Sequence, residues 1–279
     1  MADTHKEDKT MKKRLMLYAV AALLALALPA RAADRTYTLC DPAKAKMCAS
    51  LVALYEFEEA ANYDRTSETG TAPFLERGGY DLARSSTHKT GSYSLAPDTG
   101  SGTEYLYIPR SPSLGTSFTA NVWLYADSLG ATSTLIGTYD DSGTKVGSYL
   151  SDTNTSSVHH FRFTVKQSMT DTVSYVEDST TLSATTWYFV SFGIYASPTT
   201  TEPYQSTLWI RVNGGAATTQ TITYPPQVFL GDFRIGNMDR ISAYKFDQLS
   251  IFSGTLSAGE VSWLCNSGSG RAYPFTANP

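Results

Sequence analysis

From Leu51 onward the chain is written in short apolar or alternating runs. They are LVALYEF (51–57), EYLYIP (104–109), SFTANVWLYA (117–126), STLIGTY (133–139), HHFRFTV (159–165), WYFVSFGIY (187–195), TLWIRVN (207–213), TTQTITY (218–224), DFRIGN (232–237) and FDQLSIF (246–252). Gly, Asn, Asp, Ser and Thr separate them, which is the spacing of antiparallel sheet. Phe161, Phe163 and Val165 alternate with Arg162 and Thr164, giving one dry and one wet face. Leu208, Ile210 and Val212 alternate in the same way with Trp209, Arg211 and Asn213. WYFVSFGIY is apolar on both alternations, as a central strand covered on both sides must be. Asn213-Gly214-Gly215 predicts a type I′ hairpin turn, and YDDSGTK (139–145) a second hairpin tip. The Ser/Thr-rich stretch 151–157 reads as a loop.

One helix is expected. Ser257 and Glu260 have capping-box spacing, Val261, Leu264 and Cys265 share a face, and Asn266 to Gly270 ends the run. The fold class that follows is all-β: a two-sheet antiparallel jelly-roll sandwich with one short C-terminal helix.

Before this domain, residues 11–32 have the build of a secretory signal peptide, with Lys12, Lys13 and Arg14 ahead of an apolar run and Ala30-Arg31-Ala32 as a cleavage site. The run is too short to span a bilayer. Residues 33–49 form an N-terminal segment in which Cys40 and Cys48 flank a short polar loop, so that a local disulfide is expected in an oxidising compartment. The expected organisation is therefore a leader (1–32), this segment (33–49) and one domain (50–275), exported to the exterior, the cell surface or the periplasm. Cys265 reads as a small buried residue on the helix. A net charge of −4, with 17% charged residues and no basic stripe, argues against nucleic acid as a partner.

Candidate chemistry is sparse. In LYEFEEA (54–60), Glu56 and Glu58 fall on the face opposite Tyr55 and Phe57, toward solvent, and positions 60 and 61 are Ala. This is a wet strand face rather than the acid pair of a glycoside hydrolase. His159 and His160 are neighbours on a strand and face opposite ways, so they cannot share a metal. Sugar recognition needs an aromatic platform beside planar polar groups. Trp209, Arg211 and Asn213 share one strand face and are expected to supply both. Trp123 and Tyr125 share another. The alternative is that these aromatics form an outer packing layer under a loop.

The order of LVALYEFEEA, TEYLYIP, SFTANVWLYADS, TTWYFVSFGIY, LWIRVNGG, FRIGN and FDQLSIFSGTLSAGEVSWLCNSGSG resembles the laminin G-like, concanavalin A-like jelly-roll family over about residues 50–275. The resemblance implies a sandwich of twelve to fourteen strands that binds glycans or extracellular proteins, sometimes with a structural calcium. It places the loop after the first strand near the last long strand, so that Glu59, Asp64 and Asp247 are expected to meet as calcium ligands. Where relatives carry an acidic pair in that strand, this chain has Asp247-Gln248. Alternation sets Asp247 with Leu249 and Ile251 on the buried side. There a carboxylate is metal-bound or else held by backbone amides or an Arg such as Arg65 or Arg234. The implied function is a non-catalytic recognition module for an extracellular glycan or surface partner. A structural envelope protein or a divergent glycan hydrolase or lyase are the alternatives.

Overall fold

The computed structural model describes residues 47, 50–58, 75–77, 83–97, 105–108, 117–139, 145–166, 173–196, 205–223, 232–235 and 244–271. Every described residue lies in the compact unit Thr38–Pro279. The leader and the Cys40/Cys48 pair lie outside the described residues.

The described residues form fifteen strands, more than the twelve to fourteen expected. They are β1 (Leu51–Tyr55), β2 (Leu75–Arg77), β3 (Ala83–Ser85), β4 (Ser94–Ala96), β5 (Tyr105–Ile108), β6 (Phe118–Ala126), β7 (Ser133–Tyr139), β8 (Lys145–Thr155), β9 (Val158–Lys166) and β10 (Val173–Glu177), followed by β11 (Trp187–Ala196), β12 (Ser206–Val212), β13 (Thr218–Ile222), β14 (Asp232–Ile235) and β15 (Tyr244–Ser253). Helix α1 (Ala258–Cys265) follows. One sheet runs β13-β12-β11-β6-β15-β4-β3, with β1 also on β15, and the other runs β10-β9-β8-β7-β14-β5-β2. All pairings among the described strands are antiparallel, as the alternating pattern requires.

The two inner faces close on one core. Phe161, Phe163, Val165, Leu150, Ile136 and Ile235 of the seven-stranded sheet meet Val122, Leu124, Phe192, Ile210, Phe246 and Ile251 of the eight-stranded one. Alternation therefore predicted the inner face of β9 and β12 residue by residue. WYFVSFGIY is the interior strand β11, between β6 and β12. At the β12–β13 turn Asn213 and Gly214 both have positive φ, and Gly215 N donates to Val212 O at 3.0 Å, the expected I′ geometry.

A second, smaller core lies on the outer face of the eight-stranded sheet. Trp123, Phe189, Trp209 and Phe252 are covered there by Val261, Leu264 and Cys265 of α1, with Leu256 and Met47. The helix starts as its sequence dictates: Ser257 Oγ accepts from Glu260 N while Glu260 Oε2 accepts from Ser257 N at 2.7 Å. Asn266 ends it with φ 49.

Three local expectations are corrected. Residues 151–155 are strand rather than loop, because Ser156 and Ser157 both take positive φ and close a two-residue turn that lets β8 pair with β9 to Thr155↔Val158. Leu54, expected on the wet face, is buried, and the strand alternation stops at Tyr55 because Phe57 turns to φ 58. In β15 the pairing with β6 slips between Asp247 and Ser250, and Gln248 takes φ 48. This bulge breaks the two-residue period. Asp247 therefore shares a face with Trp123 rather than with Leu249 and Ile251.

Candidate ligand-binding face

The outer face of the seven-stranded sheet carries a row that runs straight across six strands. Cross-strand register aligns Tyr175 (β10) with Thr164 (β9), Thr164 with Tyr149 (β8), and Tyr149 with Gly137 (β7). It continues from Gly137 to Arg234 (β14) and from Arg234 to Tyr107 (β5). Five strand spacings make the row roughly 24 Å long. Tyr175 is 47% exposed, and Tyr149 and Tyr107 are partly exposed. Gly137 is required within the row, since a Cβ there would sit 2.7 Å from Tyr149 Cβ.

Planar polar groups flank the rings. Arg162 lies with its guanidinium 4.1 Å from the centre of the Tyr175 ring and donates from Nε to Glu177 Oε2 at 2.8 Å. Thr153 Oγ1 donates to the same carboxylate oxygen at 2.8 Å. Arg234 stacks 4.4 Å from the Tyr105 ring and pairs with Asp232 at 3.2 Å. The row is thus aromatic and polar with its charges internally paired; Tyr175, Tyr149 and Tyr107 reach solvent, while Thr164, Gly137 and Arg234 are buried between them.

The residues expected from sequence to bind ligand lie elsewhere. Trp123 (1% exposed) and Trp209 (5%) are buried in the core beneath α1 and offer no open platform, a correction to that expectation. The physical reason is the helix, whose apolar face needs those two indoles as its floor. Neither indole N–H finds an acceptor among the described residues. Tyr125 is partly exposed, 5.2 Å from the Trp187 ring and under the Lys245 ammonium at 4.8 Å. Arg211 Nη1 donates to Gly215 O at 3.0 Å, and Asn213 Oδ1 accepts from Phe189 N at 2.9 Å, so both brace the β12–β13 turn.

Of the expected calcium ligands, Glu59 and Asp64 lie outside the described residues. Asp247 is fully buried, but its Oδ2 accepts from Lys89 N (2.7 Å) and Thr90 N (2.9 Å), and Thr90 Oγ1 stands 3.4 Å from Oδ1. Backbone amides thus hold Oδ2, the alternative to a metal that the sequence leaves open for this carboxylate. Among the described residues no three acidic, His or Cys side chains gather for a metal. Glu58 acts in the same manner, accepting from Ser92 N (2.9 Å) and Tyr93 N (3.1 Å). Gly91 (φ 65) fits only because it lacks a Cβ, which would meet Glu58 Oε1 at 2.0 Å. The two acids hold the segment 89–93 in place and perform no visible chemistry.

A buried polar cluster escaped the sequence reading. His159 Nδ1 donates to Asp152 Oδ1 at 2.8 Å, and Tyr244 OH donates to Asp152 Oδ2 at 3.0 Å, tying the two sheets together. Burial pushes the Asp152 carboxyl upward against the pull of His159 and Tyr244, and it pushes the Tyr244 hydroxyl upward too. His160 turns the other way, as expected, with Nδ1 on Thr180 O at 3.0 Å. Asp152 sits within the stretch that composition marks as a loop, so no signal identified it as buried.

A family model described as the concanavalin A-like lectin/glucanases superfamily matches residues 99–262. The chain belongs to this superfamily. The match spans β5 to β15 and most of α1, and so takes in the whole row on the seven-stranded sheet. No curated protein matches this superfamily member in sequence. Among solved structures it is similar to the binding domain of botulinum neurotoxin serotype C1, with TM-score 0.57 and 13% identity over 78% of this chain and 52% of that one. The binding domain of botulinum neurotoxin DC, in a complex with SialylT, gives TM-score 0.54 and 14% identity over 78% and 51%. The same domain in complex with rat synaptotagmin II gives 0.53 and 14% over 78% and 52%. The chain spans about half the length of these structures, and at such identity they share its fold.

Proposed function

We propose that this superfamily member is a non-catalytic recognition module, exported from the cell, that binds a glycan chain laid across the strands on the outer face of the seven-stranded sheet. The row Tyr175–Thr164–Tyr149–Gly137–Arg234–Tyr107 carries this reading. Its rings stand two and three strands apart, with the partly exposed Arg162–Glu177 pair beside Tyr175 to meet hydroxyls. The toxin domain of like fold, seen in complex with SialylT in one structure and with rat synaptotagmin II in another, is a binding domain too.

Turnover is not supported by the same face. Its described carboxylates, Glu177 and Asp232, stand on β10 and β14, four strand spacings or roughly 19 Å apart. Glycoside hydrolysis needs two carboxyl groups within about 5–9.5 Å. Each of the two is already in an ion pair with an Arg. No helix among the described residues is long and apolar enough to cross a membrane.

The test is binding of the purified chain to a polysaccharide and oligosaccharide array. Tyr149→Ala and Tyr175→Ala should each weaken binding several-fold to tenfold, the worth of about 0.5–1.5 kcal/mol per stacked ring, without lowering the melting temperature much. If no glycan is retained, or if both variants bind as well as the parent, the reading fails. Release of reducing ends that stops with Glu177→Gln would instead make the protein a hydrolase.

A further inference from the structure

Among the described strands, five bound the two sheets: β13, β3 and β1 in one, β10 and β2 in the other. A strand at an edge presents unpaired N–H and C=O groups, and chains that stay apart protect such edges with charge, proline or cover. Four of the five are protected. β3 carries Arg84, β10 carries Glu177, and β2 carries Glu76 and Arg77. β1 is uncharged, but Ala53, Leu54 and Tyr55 are buried. The remaining edge is β13, whose sequence TTQTI has neither charge nor proline and whose Thr219, Gln220 and Thr221 are exposed. Between residues 179 and 231 the chain has only two charged side chains, Glu202 and Arg211.

We infer that a second copy of this chain pairs antiparallel with β13, joining the two eight-stranded sheets into one across a two-fold axis. An isologous contact sets each residue near its own counterpart, so any charge on the strand would repel itself, and β13 has none. Gln220 carries both donors and an acceptor and is its own complement. About that centre Thr219 faces Thr221 of the other copy, a favourable cross-strand pair. The β-branched Thr and Ile of the strand suit the extended backbone that such pairing demands. A two-fold axis perpendicular to the joined sheet leaves both seven-stranded sheets facing the same way. The inference does not depend on what those faces bind.

The experiment is sedimentation velocity of the full chain across a wide concentration range, paired with hydrogen exchange of the 216–223 segment. The expected result is a reversible dimer whose β13 amides exchange faster on dilution. Gln220→Lys places two ammonium groups against each other and should weaken the dimer by about tenfold or more, with the circular dichroism and melting temperature of the parent retained. A chain that is monomeric at every concentration would overturn the inference. So would a dimer unchanged by Gln220→Lys, or one whose protection falls on β10 instead of β13.

Discussion

Asp247 lies in the dry environment that its surroundings imply, and of the arrangements its sequence leaves open there the described residues show the backbone amides of Lys89 and Thr90, with the Thr90 hydroxyl beside them. Burial first, and then the nearby Glu58 carboxylate, push it up to about 7, while the bonds from Thr90 and Lys89 pull it down. A carboxyl raised in the native state above its ordinary value of about 4 binds its proton more tightly when folded. The stability it confers is therefore full below about pH 4 and is lost as pH rises toward and through 7, on the order of a few kcal/mol. The melting temperature should fall between pH 5 and 8, and Asp247→Asn, which keeps the acceptor for both amides without the charge, should flatten that slope and raise the melting temperature at pH 8. A melting curve in which parent and variant keep the same pH dependence would show that Asp247 ionises freely. Nothing in the local sequence could reveal those partners, because Lys89 and Thr90 lie more than 150 positions away.

At the scale of elements, what depends on neighbours within a few residues was legible. The Ser257/Glu260 box, the Val261/Leu264/Cys265 face and the Asn213-Gly214 turn all formed as their spacing required. What depends on which strand lies beside which was not. Tyr175, Tyr149 and Tyr107 come from three separate strands, and only cross-strand register puts them in one line. Trp123 and Trp209 form an outer packing layer, one of the two readings open in the sequence, and a wet-looking alternation cannot announce that a helix from the far end of the chain will lie on top of it. Helix α1 is short, and its stability comes from its cap and from the indoles beneath it. Ser257→Ala should lower stability by about 1 kcal/mol through loss of the cap. Trp209→Ala should cost about 3–5 kcal/mol by opening a cavity beneath α1. Denaturant melts measure both, and Trp209→Ala should leave glycan affinity in the folded fraction unchanged, unlike the tyrosine variants.

For the molecule as a whole, the two sheets divide the work. The eight-stranded sheet has its outer face sealed by α1 and its segment 89–93 pinned by Asp247 and Glu58, while the outer face of the seven-stranded sheet carries the exposed Tyr175 and the partly exposed Tyr149 and Tyr107. The fold class and the helix could be read from periodicity alone, since burial on alternate residues is a property of each strand by itself. The choice of face could not. If copies join through β13, two equivalent faces point toward one surface, and binding to an immobilised polysaccharide should exceed binding to the free oligosaccharide by well over tenfold through effective concentration. Gln220→Lys should bring the two affinities together, as read by titration calorimetry against surface retention.

The extra residue in β15 carries one more implication. Gln248 works as a spacer that switches which side of the ribbon each successive position faces, and the strand on either side of it is composed for that switch. Deleting it would set Leu249 directly after Asp247 on a strictly alternating strand, with Lys245 and Asp247 outside and Leu249 and Ile251 inside, the faces they already occupy. Losing the positive φ while keeping the residue is the graver lesion: either Asp247 and Lys245 would be driven into the hydrocarbon interior, or Leu249 and Ile251 would be turned out of it. A one-codon loss here is thus milder than a β-branched replacement of the glutamine, which resists the left-handed backbone that the spacer needs.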